Sequence, residues 1–88
     1  MKQEQWDDMT EGMKEEPTVV TDYLEACYDE IADEDIICMF EYFGGKPAGK
    51  KGREQLFSEL LEWLYPLTEE KPKEFLAKMK ALRNLLVK

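Results

Sequence analysis

Histidine is absent from this 88-residue chain. Without it there is no imidazole base, no Ser-His or Cys-His nucleophile pair and no imidazole metal ligand. A single serine, Ser58, falls inside a helical pattern with no base beside it. Cysteine is scarce as well, with Cys27 and Cys38 eleven residues apart. On one continuous helix they share a face but stand about 16 Å apart, beyond the reach of a disulfide. Reduced thiols in a reducing cytosol are therefore expected. The acidic neighbours of both cysteines disfavour a reactive thiolate. Long apolar runs are also missing. The longest covers 36–40, far short of the ~18 residues of a membrane span. The stretch 1–17 is acidic with no apolar centre, so it does not read as a secretory signal and a cytoplasmic location is expected.

What the chain does contain is a single domain's worth of apolar residues. Hydrophobic residues make up 43% and aromatics 11%, too rich for a disordered chain. Twenty acids against 12 bases leave a formal charge of −8. These numbers predict an acidic globular domain with one small core and no room for a cofactor fold beside a substrate cleft.

The apolar spacing is helical throughout. Trp6, Met9 and Met13 share one face of a short segment, so 1–16 is read as an acidic N-terminal arm or a short docking helix. The domain proper, 17–88, opens with Val20, Tyr23, Leu24, Cys27, Tyr28 and Ile31 on one stripe. Thr18 or Thr21 is expected to cap it. Asp33 is expected to break the stripe by capping a second helix, which carries Ile36, Ile37, Met39, Phe40 and Phe43 and ends at Gly44-Gly45. A buried strand over 35–43 is the alternative, giving α+β. After a glycine-rich basic loop at 44–52, Leu56, Phe57, Leu60, Leu61, Trp63 and Leu64 mark a third helix, stopped by Pro66. Thr68 and Pro72 open the last helix, whose apolar face is Phe75, Leu76, Met79, Leu82, Leu85 and Leu86. The fold class is all-α, a bundle of four to five short amphipathic helices.

Two stretches resemble chemical motifs but each lacks an element its chemistry needs. Residues 44–51 match G-x-x-x-x-G-K, but Lys51 stands where a phosphate-binding loop needs Ser or Thr for magnesium, and no parallel sheet fits in the chain. The acids Asp29, Glu30, Asp33, Glu34 and Asp35 lack the turn spacing of a calcium loop. No metal, no cofactor and no catalytic residue is assigned, and the chain is read as not an enzyme.

Charge asymmetry is the stronger signal. Residues 1–43 hold fourteen acids and two bases, while 44–88 hold six acids and ten bases. One explanation is internal, acidic helices packed beside basic ones. The other is recognition. A line of helical carboxylates spaced each turn fits a basic groove that normally takes nucleic acid. The candidate contacts are Asp22, Glu25, Asp29, Glu30, Asp33 and Glu34, with Tyr42 as an exposed aromatic anchor. The expected function is an inhibitor that binds the basic surface of a protein partner such as a nuclease or other nucleic-acid enzyme. By analogy of size, charge and missing chemistry, that is the phage-type anti-defence or anti-CRISPR role. Two other readings stay open. One is a nucleic-acid-binding regulator using the basic loop 46–53 and the C-terminal helix, through Lys46, Lys50, Lys51, Arg53, Lys71, Lys73, Lys78, Lys80 and Arg83. The other is a homo-oligomeric structural module. No membrane partner is expected.

Overall fold

The computed structural model describes residues 2–46 and 52–87. The elements are α1 (Gln3–Met13), α2 (Val19–Ala26), a short 3-10 turn (Tyr28–Glu30), α3 (Asp33–Tyr42), α4 (Arg53–Glu70) and α5 (Pro72–Leu86). No strand occurs among the described residues; 35–42 is helical, Phe43 follows as its cap, and the α+β alternative falls. The motif at 44–51 lies mostly outside the described residues, as do Lys50 and Lys51.

α1 is held at its start by the Lys2 backbone N–H, which donates to Gln5 Oε1 at 2.7 Å. Its Trp6, Met9 and Met13 are buried and join one core with residues from every other helix. α1 packs against α2 and α5, and Arg83 Nε donates to Asp7 Oδ1 at 3.1 Å across the latter contact.

The stripe from Val20 to Ile31 keeps its burial but not its helix. α2 stops at Ala26, a 3-10 turn follows, and Ile31 is extended yet only 3% exposed. Neither Thr18 nor Thr21 caps α2 with its side chain; Thr21 Oγ1 donates to the Thr18 carbonyl instead. Asp33 is not a cap either. Ala32 holds that position and Asp33 is the first helical residue. The reason is Arg53, whose guanidinium donates to the carboxylate of Asp33 and to the carbonyls of Tyr28 and Ile31. It also lies 4.7 Å from the centre of the Tyr28 ring. One planar fork therefore ties both carbonyls at the helix break to the start of α4, adding to the 3.4 Å bond that the Ile31 N–H donates to the Tyr28 carbonyl. The hydrogen bond to Asp33 is the main influence raising the Arg53 pKa further above its ordinary value, against partial desolvation.

α3 and α4 run parallel. Arg53, the first residue of α4, meets Asp33, the first of α3. Ten residues later, Trp63 Nε1 donates to the Phe43 carbonyl at 3.0 Å, just past the end of α3. Phe40 stacks on Trp63, and Phe43 on Phe75 of α5. α2 lies along the other side of α4 in the opposite direction: Glu25 and Tyr28 share one hollow with Glu54 and Phe57, while Thr21 and Glu25 share the next with Tyr65 and Pro66.

Pro66 does not stop the third helix, which continues to Glu70. Proline lacks the N–H that would bond the carbonyl four residues back. Here that carbonyl belongs to Glu62, and both residues are exposed, so the bond is lost on the outward face of α4, where solvent can serve as donor. Thr68 consequently lies inside α4, buried, its hydroxyl donating to the Tyr65 carbonyl at 2.6 Å. Pro72 does open α5, at its first turn. Trp63, expected in the core, is on the surface at 43% exposed, as is Tyr65 at 46%. The polar atom of each is engaged within the protein, the Trp63 indole N–H with the Phe43 carbonyl and the Tyr65 hydroxyl with Glu69.

Candidate protein-interaction surface

The six candidate carboxylates do not form a single helical line. Asp22 and Glu25 stand on α2, Asp29 and Glu30 on the 3-10 turn, and Asp33 and Glu34 at the start of α3. All six are exposed. The last four gather where α2 gives way to α3. Tyr42 is exposed too, with its ring edge-on to Phe43, but it sits nine residues along α3 from Asp33, about 13 Å away.

Their surroundings separate them. Asp33 is bound to Arg53, and the carboxylate of Glu30 accepts from the Gln5 amide. Asp22 lies in the first turn of α2, and Asp33, Glu34 and Asp35 fill the first turn of α3. Acids there complement the positive end of the helix dipole, at about 0.3–1 kcal/mol each. Glu25 and Asp29 have no such support. Glu25 is in the last turn of α2, where the dipole opposes an acid and no basic residue answers it, and Asp29 follows just beyond. Neither has an ion-pair partner among the described residues.

Beside them runs a shallow groove between α2 and α4. Phe57, Leu61 and Tyr65 line its floor, and Glu25, Glu54 and Glu62 stand around it. A hydrogen bond to Glu69, together with that carboxylate's charge, holds the Tyr65 phenol above its ordinary pKa. Sequence spacing did not single out these α4 residues for binding. The available signal was an offset: Leu61 and Tyr65 lie four residues apart beside the core stripe of Phe57, Leu60 and Leu64. The hollow where Phe43 and Phe75 meet the α4–α5 corner has a volume of about 200 Å³ and mixed charges, below the about 300–1,000 Å³ of small-molecule sites.

Several of the bases expected to contact phosphate have acidic partners within the chain. Arg53 is held by Asp33, Arg83 by Asp7, and Lys71 lies 3.9 Å from Glu74. Among the described residues no group of three or more cysteine or carboxylate side chains is placed to hold a metal ion. No described helix is long and apolar enough to cross a membrane.

Both cysteines are free thiols, Cys27 buried and Cys38 half-buried. Burial, reinforced by the charge of Glu30, raises the Cys27 pKa above its ordinary 9.0. Ellman's reagent at pH 8 is expected to label Cys38 well before Cys27. A thiol whose folded pKa is raised stabilises the fold below its unfolded pKa and loses that contribution as pH rises through the folded value. The stability of the wild type relative to Cys27→Ala is therefore expected to decline from pH 8 to pH 10 in urea melts. A constant difference would show that burial does not perturb the thiol.

Compared with protein-family models, curated proteins and solved structures, the chain matches none.

Proposed function

We propose that the chain is a non-enzymatic interaction domain that seats the basic surface of a protein partner on its acidic flank. The partner surface is of the kind that otherwise holds nucleic acid, so occupancy inhibits it. The observation that carries this reading is the pair Glu25 and Asp29. Both carboxylates are exposed and have no ion-pair partner among the described residues, and Glu25 lies in the last turn of α2, where the helix dipole disfavours an acid. A local rule broken without an internal gain marks a place shaped by something outside the fold. The net charge of −8 extends the same field outward, favouring fast, salt-sensitive association with a basic partner.

The clean test reverses these two residues and spares Asp33, which the fold uses. Glu25→Lys/Asp29→Lys places cations at the C-terminal end of α2, so its melting temperature should stay level or rise slightly. A tagged wild-type chain in lysate of the source cell is expected to retain a basic nucleic-acid enzyme at low salt and release it at moderate salt. The Debye length shrinks from about 10 Å at 0.1 M towards about 3 Å at 1 M. The double variant is expected to retain at most a tenth as much, and the purified enzyme to lose activity only with the wild type. Equal retention by the variant, or no basic protein on the wild type, discards the reading.

A further inference from the structure

We propose that the groove between α2 and α4 docks one basic amphipathic helix of a partner protein; this deepens the interaction reading above and rests on it. The floor is apolar and regular. Phe57, Leu61 and Tyr65 follow one another at every fourth residue of α4, about 12 Å from first to last. That matches the reach of anchors at i, i+4 and i+7 on an incoming helix, about 10.5 Å. The two walls are helices running in opposite directions, so a third helix packs between them as ridges fit into grooves.

Charge selects the occupant. Glu25 stands on the α2 side and Glu54 and Glu62 on the α4 side, and among the described residues no lysine or arginine lines either hollow. An apolar stripe flanked by lysines or arginines satisfies floor and rim together. A second copy of this chain carries the same net charge of −8 and is repelled at long range. Tyr65 is 46% exposed with its hydroxyl directed to Glu69, and a half-exposed tyrosine is an effective anchor because it brings area with few rotamers to freeze.

The experiment uses the full chain and two labelled 18-residue peptides of identical lysine and leucine content. In one, the leucines fall on a single helical face; in the other their order is scrambled. Fluorescence anisotropy is expected to show at least tenfold tighter binding of the ordered peptide. Amide shifts should centre on Thr21, Glu25, Leu61 and Tyr65. Tyr65→Ala/Glu62→Lys, at two exposed positions checked by circular dichroism, is expected to abolish the preference. Equal binding of both peptides means charge alone and overturns the groove. A preference that survives the variant places the peptide elsewhere and overturns it too. Peptide-free shifts at the same residues that grow with protein concentration, alongside a dimer mass in light scattering, would make a second copy the occupant.

This result and the capture experiment fail separately. Capture lost in Glu25→Lys/Asp29→Lys with no peptide preference removes the groove and keeps the acidic flank. A peptide preference with no basic protein captured removes the inhibitor reading and keeps the groove.

Discussion

Truncating Trp6 to alanine is expected to cost about 3–5 kcal/mol, the range for removing a buried tryptophan. For 88 residues the total stability expected at 0.05–0.15 kcal/mol per residue is about 4–13 kcal/mol, so one truncation near the amino terminus takes a large share. Trp6 is 2% exposed, and its neighbours on the same face, Met9 and Met13, are fully buried. The Asp7–Arg83 pair nearby is half in water and contributes at most about 1 kcal/mol. Apolar burial, not charge, therefore holds α1 to α5. Urea unfolding followed by far-ultraviolet circular dichroism is expected to show the midpoint falling by more than about 2 M, with a slope near 1–1.5 kcal/mol per M. Trp63, the other tryptophan, reports the same transition by fluorescence. A global shift under about 1 kcal/mol, with exchange protection lost only in residues 3–13, would show that α1 folds apart from the rest.

Helix phase was legible because it depends only on local spacing. Trp6, Met9 and Met13 share a buried face, as do Phe75, Met79 and Leu82, and each set could be read without knowing its partner helix. What could not be read depended on residues distant in sequence. The helix break at 27–32 is stabilised by Arg53, more than twenty residues on, so nothing in the local pattern favoured it over a cap at Asp33. Pro66 misled for a related reason. The penalty of an internal proline depends on whether the orphaned carbonyl meets water, and that is settled by which face of α4 is outward. Trp63 and Tyr65 look like core residues by composition, yet one bonds the end of α3 through its indole and the other floors a groove. The acidic flank was legible as charge. Its division into carboxylates with a structural partner and the unsupported pair Glu25 and Asp29 needed the helix ends and Arg53 in place. The groove needed more still, since it exists only once α2 lies antiparallel to α4.

Gly45→Ala is expected to cost about 1–3 kcal/mol, the range for overfilling a packed site. Gly44 and Gly45 end α3 in a Schellman turn. The Gly45 N–H donates to the Phe40 carbonyl at 2.9 Å and the Gly44 N–H to that of Glu41 at 3.0 Å. Gly44 sits at φ +83, left-handed backbone that a side chain enters at about 1–2 kcal/mol. Gly45 has a different constraint. A methyl group there runs into the ring of Phe40, which is 7% exposed and stacked on Trp63. Trp63 is in turn tied to the Phe43 carbonyl, so the ring cannot yield without loosening the parallel seam of α3 and α4. A double-mutant cycle isolates this contact. In a Phe40→Leu background the smaller, more flexible side chain gives way, and Gly45→Ala is expected to cost about 1 kcal/mol less than in the wild type. Urea midpoints of the four proteins provide the comparison. Equal cost in both backgrounds would place the strain in the turn itself and remove Phe40 from the account. The seam also sets Asp33 against Arg53, so the wild-type background should lose exchange protection at Ile31 and Asp35 as well, while Phe40→Leu/Gly45→Ala keeps more of it.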